Sequence, residues 1–136
     1  MTRRAVAPAL LAASLVVALT GCGMLGATTR VTLQNGTDVP LALDVNGTWI
    51  GTVAPHTTAN LPFTLDDLTT SIEARSPNGA ALVGLIGTRS MFDAAVDGST
   101  PMAEWQDLAC GRVVVSVGPF DPSVLPALAP PTGPCP

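Results

Sequence analysis

From Arg30 onward the chain alternates. Val31 and Leu33 fall on one face and Thr32 and Gln34 on the other, until Asn35-Gly36 interrupts. Val39, Leu41, Leu43 and Val45 then alternate with Pro40, Ala42 and Asp44, until Asn46-Gly47 interrupts again. A period of two is that of a half-buried β-strand, and Asn-Gly is the favoured centre of a type I′ hairpin turn because both residues there take positive φ. A two-residue turn at Asn46-Gly47 pairs Val45 with Thr48, Asp44 with Trp49 and Leu43 with Ile50. Ile50 then shares the face of Leu43 and Val45, and Trp49 the face of Ala42 and Asp44. On that second face Trp49 is either buried under a further layer or an exposed aromatic able to stack on a glycan or a partner. Pro40 has no amide to donate and is expected at a strand end or edge.

Further strands are expected over Thr58–Leu65, Thr70–Arg75, Ala80–Thr88 and Leu108–Val117, with Ser76-Pro77-Asn78-Gly79 turning the chain between two of them. Val113, Val115 and Val117 form the cleanest one-faced pattern. Ser90 to Gln106 fits two patterns. Thr100-Pro101 suits the start of a short helix at Met102–Leu108, since proline fits the first helical position, and it equally suits a loop leading into a long strand. We read the segment as strand and loop. Six to eight short strands separated by turns predict an all-β fold, an antiparallel sandwich or a small barrel, with an immunoglobulin-like shape among the forms it takes. Seven of the last 18 residues are proline, so residues 119–136 are expected to form an extended, irregular tail.

The beginning of the chain has another pattern. Arg3 and Arg4 precede an apolar run from Ala5 to Leu19, about 15 residues, which suits a signal peptide and is short for a spanning helix of about 20. The run ends in Leu19-Thr20-Gly21-Cys22, which resembles the lipobox of bacterial lipoproteins: Leu, a small residue, Gly and Cys in that order. The resemblance implies cleavage before Cys22, a diacylglycerol on its sulfur, and attachment of the exported chain to the membrane through that lipid. The face is the outer one, or a periplasmic one where the cell has two membranes. A thiolate is nucleophilic enough to take the lipid as a stable thioether, and two or three acyl chains at about 0.8 kcal/mol per buried CH₂ retain a protein where one chain is marginal. The expected division is residues 1–21 as signal, 22–28 as lipidated cysteine and spacer, 29–118 as β-domain and 119–136 as tail. Val45-Asn46-Gly47, Leu108-Ala109-Cys110-Gly111-Arg112 and Gly133-Pro134-Cys135 together are similar to small exported β-domain proteins of GC-rich bacteria, a resemblance that implies no activity.

Without residues 1–21 the chain has 115 residues, enough for one modest core. Losing Arg3 and Arg4 leaves four arginines and no lysine against ten acidic residues, a formal charge of −6. A basic patch for nucleic acid or for anionic headgroups has almost nothing to be built from. With Cys22 assigned to lipid, Cys110 and Cys135 form an even pair, which outside the cell membrane ordinarily becomes a disulfide and here would tie the tail back.

Catalytic motifs are sparse. His56 is the single histidine and sits in a turn-like Ala54-Pro55-His56-Thr57, with no Gly-x-Ser-x-Gly, His-Glu-x-x-His or Ser-x-x-Lys motif around it. Asp66-Asp67 reads as a solvated turn. Asp93, Asp97, Glu104 and Asp107 form a looser acidic group whose spacing does not match the twelve-residue calcium loop. Asn35-Gly36-Thr37 and Asn46-Gly47-Thr48 match the glycosylation sequon and are read as turns. The expectation is a non-enzymatic envelope lipoprotein without cofactor or metal, with a binding or accessory role toward an envelope protein or cell-wall glycan, and Trp49 is the candidate binding residue if its face is open. The alternatives are a structural module with no ligand, and a carboxylate-based enzyme or calcium-binding protein.

Overall fold

A computed structural model describes residues 28–136; the expected signal peptide and lipobox, Cys22 included, lie outside the described residues. The described chain forms eight strands, β1 (Thr28–Asn35), β2 (Leu41–Val45), β3 (Thr48–Val53), β4 (Thr57–Thr64), β5 (Thr69–Arg75), β6 (Ala81–Thr88), β7 (Met102–Leu108) and β8 (Gly111–Val117), with one helix, α1 (Arg89–Val96), between β6 and β7. The strands make two four-stranded antiparallel sheets, ordered β4-β1-β8-β7 and β3-β2-β5-β6. The fold is an all-β sandwich. β1 lies between β4 and β8, whereas the first strand of an immunoglobulin constant domain lies beside the second.

Alternation builds the core. Val31 and Leu33 of β1, Leu41, Leu43 and Val45 of β2, Ile72 and Ala74 of β5, and Val113, Val115 and Val117 of β8 face one another between the sheets and are buried. Each strand contributes every second residue, so the apolar set of one sheet meets that of the other. The Asn46-Gly47 turn forms with φ of 50° and 80°, and Val45 pairs with Thr48 and Asp44 with Trp49 as expected. A bulge then shifts the register: Leu43 pairs with Gly51 rather than Ile50. One extra residue on β3 leaves Ile50 only partly buried. Pro40 immediately precedes β2, where no ladder donor is required.

Three further expectations are corrected. The expected strand from Leu108 to Val117 is broken at Ala109-Cys110, a two-residue turn joining β7 to β8, with Leu108 paired to Gly111. Residues Met102–Leu108 are a strand, as read, but Arg89–Val96 is a helix rather than strand and loop. The Thr88 hydroxyl caps it by accepting from the Met91 amide at 3.4 Å, and Phe92 and Ala95, three apart, turn into the core. Phe92 meets Phe63 of β4 edge-to-face at 6.0 Å, so α1 plugs the end of the sandwich at which β1 begins. Asn35-Gly36 is not a hairpin turn, since β1 pairs with β4 and β8 and the chain crosses to the other sheet instead.

Asn35 is 1% exposed and ties that crossing together. Its Nδ2 donates to the carbonyls of Val39, Val53 and Ala54 at 2.8, 3.1 and 3.2 Å, while its Oδ1 accepts from the Thr37 amide and hydroxyl. Next to it, the Gly36 amide donates to the Arg112 carbonyl at 2.8 Å. Gly111 has φ of +134°, and a Cβ on it would stand 2.1 Å from the Gly36 oxygen. Two glycines thus let the β1–β2 crossing touch the β7–β8 turn.

The tail leaves β8 at the end of the sandwich where β1 begins and finishes at the opposite end. A single 3-10 turn at Pro122–Val124 is its regular element, and the Thr132 and Gly133 amides donate to the Ala109 carbonyl at 2.7 and 3.2 Å. Cys135 and Cys110 stand at disulfide distance, with Cα atoms 5.1 Å apart. Among the described residues no helix is long and apolar enough to cross a membrane.

Candidate functional site

Cross-strand partners share a face, so the register maps the outer surface of the β3-β2-β5-β6 sheet residue by residue. One row across it reads Trp49, Asp44, Glu73, Gly84, and the next Thr52, Ala42, Arg75, Ala81. Trp49 is 62% exposed, which excludes a further covering layer and leaves an aromatic face open to solvent. Its indole N–H donates to the Thr52 hydroxyl at 3.1 Å, fixing the ring along its own strand. Arg75 bridges the two carboxylates beside it: its Nε lies 3.3 Å from Asp44, and its Nη2 donates to Glu73. The result is an aromatic platform with two acceptors and one cation alongside, on a shallow surface.

The outer face of the other sheet is different. Val114 and Ser116 point away from the core yet are buried, because Phe120 and Pro122 of the tail lie over them around a hollow of about 230 Å³. β8 is therefore covered on both faces. Trp105, paired with Val114 on the edge strand β7, is 41% exposed. Beyond the tail, a second hollow of about 390 Å³ is lined by Thr28, Thr29, Arg30, Thr32, Asn60, Val96 and Gly118. Sequence reading missed it, since it is formed by the start of β1, the end of α1 and the exit from β8, which are remote in the chain.

The remaining polar candidates are scattered. His56 takes a positive φ of 53° in the β3–β4 turn, and its Nε2 lies 2.6 Å from the Asp38 carboxylate, both side chains exposed. The acidic group does not converge: Asp93 pairs with Arg89, Asp97 accepts from the Ser99 amide and hydroxyl, Glu104 sits on β7, and Asp107 lies against Arg112 at 2.5 Å. The Arg112 guanidinium holds the Asp107 carboxyl below its ordinary range, and hydrogen bonds from Ser99 do the same for Asp97. These are structural ties. Among the described residues no three His, Cys, Asp or Glu side chains are grouped to hold a metal ion.

Fold and surface together define a small β-sandwich with one exposed aromatic platform and one tail-covered face. No protein-family model matches the chain, nor does any curated protein or solved structure.

Proposed function

We propose that the chain is a cell-envelope lipoprotein, held to the membrane by lipid on Cys22, whose sandwich binds cell-wall glycan at Trp49 without catalysing a reaction. The observation that carries the binding reading is the exposed Trp49 ring beside Asp44, Glu73 and Arg75. A sugar ring has apolar C–H faces that stack on indole and equatorial hydroxyls that bond to carboxylate and guanidinium groups, so one aromatic among polar side chains suits it. A protein hot spot would favour a larger apolar cluster around the ring. Asp44 and Glu73 supply acceptors, Arg75 supplies donors, and the shallow surface admits a long polymer.

The test is sedimentation with purified peptidoglycan, comparing the lipidated chain in detergent with its Trp49→Ala variant. Co-sedimentation lost in the variant supports the glycan reading. Equal sedimentation of the two, or none of either, removes it and favours a protein partner or a structural module without ligand. Anchoring is tested separately: Cys22→Ala protein should leave the membrane fraction and lack the mass of the lipid.

A further inference from the structure

Each of three arginines in the sandwich faces a carboxylate: Arg75 meets Asp44 and Glu73, Arg89 meets Asp67 and Asp93, and Arg112 meets Asp107. Arg30 has no acidic partner among the described residues, and residues 1–27 contain no Asp or Glu at all. In a domain with a large excess of acid, a cation without a carboxylate is the exception. Its guanidinium is nevertheless held in place. Nε donates to the Asn60 side-chain oxygen, Nη2 donates to the Asn60 carbonyl at 2.9 Å, and Asn60 in turn donates to the Thr32 hydroxyl at 2.8 Å. Two of its five N–H donors are thereby used and the others stay available in a fixed fork.

We propose that the hollow beside Arg30 binds a phosphate group, supplied by the headgroup of a membrane phospholipid next to the anchor. The hollow, about 390 Å³, is lined by Thr28 and Thr32, which alternation places on the Arg30 face of β1, and hydroxyls of that kind are donors that phosphate oxygens accept from. Val96 and Gly118 form an apolar wall. Location selects the source. Thr28 is six residues beyond Cys22, a reach of at most about 20 Å of extended chain, so a lipid on Cys22 brings this end of the sandwich to the headgroup layer. Two carboxylates follow the wall residues in the chain, Asp97 and Asp121, but they accept hydrogen bonds from Ser99 and Ser123 and make no ion pair with Arg30. The anion is held by directed bonds against an unfavourable net charge. Affinity for a free ion is accordingly low, and the short tether compensates by presenting headgroups at millimolar effective concentration or above. The lipid as source rests on the proposed anchoring at Cys22; the phosphate site does not.

Side-chain Nε–H resonances of the arginines, recorded on the lipidated chain in alkyl maltoside micelles, give the test because these micelles contain no phosphate. Added phosphatidylglycerol should shift Arg30 while leaving Arg75, Arg89 and Arg112 in place, and diacylglycerol with the same acyl chains should shift none. The Arg30→Gln variant, with an unchanged melting temperature, should need about tenfold more phosphatidylglycerol for the same shift of the Thr32 amide. Inorganic phosphate shifting Arg30 where phosphatidylglycerol does not would keep the phosphate site and overturn the lipid source. No shift with either would overturn the site. A mass showing no lipid on Cys22, with Arg30 still shifted by inorganic phosphate, would remove the anchoring reading and leave the site standing.

Discussion

At the scale of single residues, Asn35 and Gly111 show where sequence pattern stops short. Asn35-Gly36 has the composition of a surface turn, yet Asn35 is buried with its amide shared among three carbonyls and its oxygen taken by Thr37. A signal was present, since Asn followed two residues later by Thr suits an Asx-type turn, but burial depends on a strand crossing that local sequence does not reveal. Asn35→Ala should cost about 3 kcal/mol in chemical denaturation, because several backbone groups lose their partner out of reach of water. Asn35→Asp should be worse at neutral pH, where a carboxylate would face carbonyl oxygens. Its carboxyl would have a raised folded-state pKa, so stability should be recovered in part as pH falls toward about 4 and lost as it rises. An Asn35→Asp variant whose stability does not change with pH over that range would contradict the hydrogen-bond assignment. Glycine gives a paired comparison. Gly47 and Gly111 both have positive φ, but nothing lies within 4 Å of a Cβ on Gly47, whereas one on Gly111 meets the Gly36 backbone. Gly47→Ala should cost about 1 kcal/mol from backbone strain alone, and Gly111→Ala several times that or failure to fold. Equal costs would show that the crossing does not need the close approach.

At the scale of elements, legibility followed burial on one face. β1, β2 and β5 bury alternate residues, and period two gives their ends within a residue or two of those observed; the Val113-Val115-Val117 face of β8 is legible in the same way although Val114 and Ser116 are buried as well, and its start is set three residues too early. β7 is read as strand only in outline because it is an edge strand: Glu104, Trp105, Gln106 and Asp107 are all exposed, so neither face is marked by apolar residues and the pattern does not set its bounds. α1 escaped because its eight residues follow β6 without glycine or proline, and two core contacts, Phe92 and Ala95, are too few to establish a helical period. Those contacts still matter energetically. Phe92 is fully buried against Phe63, so Phe92→Ala should cost about 3–5 kcal/mol, seen as a lowered denaturation midpoint; a cost below about 1 kcal/mol would mean that α1 does not plug the core. Trp49 was legible as to face and not as to environment, because the turn register fixes which side of β3 it occupies while only the whole fold decides whether a layer covers that side. In a Trp105→Phe background its fluorescence should be red-shifted and readily quenched, and Trp49→Ala should change stability by less than about 1 kcal/mol. Blue-shifted, protected emission would place the ring in a dry interior and end its use as a platform.

At the scale of the whole molecule, the far end of the tail returns to the β7–β8 turn, at the opposite end of the sandwich from the start of β1. Residues from Gly118 to Cys135 travel from the end where β1 begins to the end where Cys110 sits, and between the cover over Val114 and Ser116 and the bonds to Ala109 they are mostly exposed. Proline supplies few backbone donors, so the strap cannot pair as a ninth strand, and its far end depends on Cys135. Cys110 is buried in the β7–β8 turn, next to the Gly36-Gly111 contact that closes the β1–β2 crossing, so a covalent tie there acts where the tail, the turn and the crossing meet. With 25 residues of separation, closing the loop should stabilise by about 3.5 kcal/mol in the chain-entropy model, a large share of the roughly 5–15 kcal/mol available to a small domain. The double variant Cys110→Ser/Cys135→Ser should therefore melt well below the parent. Limited proteolysis of that variant should cut first within residues 126–134, leaving a trimmed sandwich whose Val114 and Ser116 exchange amide protons no faster than before, because Phe120 and Pro122 still cover them. Non-reducing peptide mapping of the protein should recover the linked pair. Free thiols at both positions, together with an unchanged melting temperature in the double variant, would show that backbone bonds to Ala109 alone hold the strap.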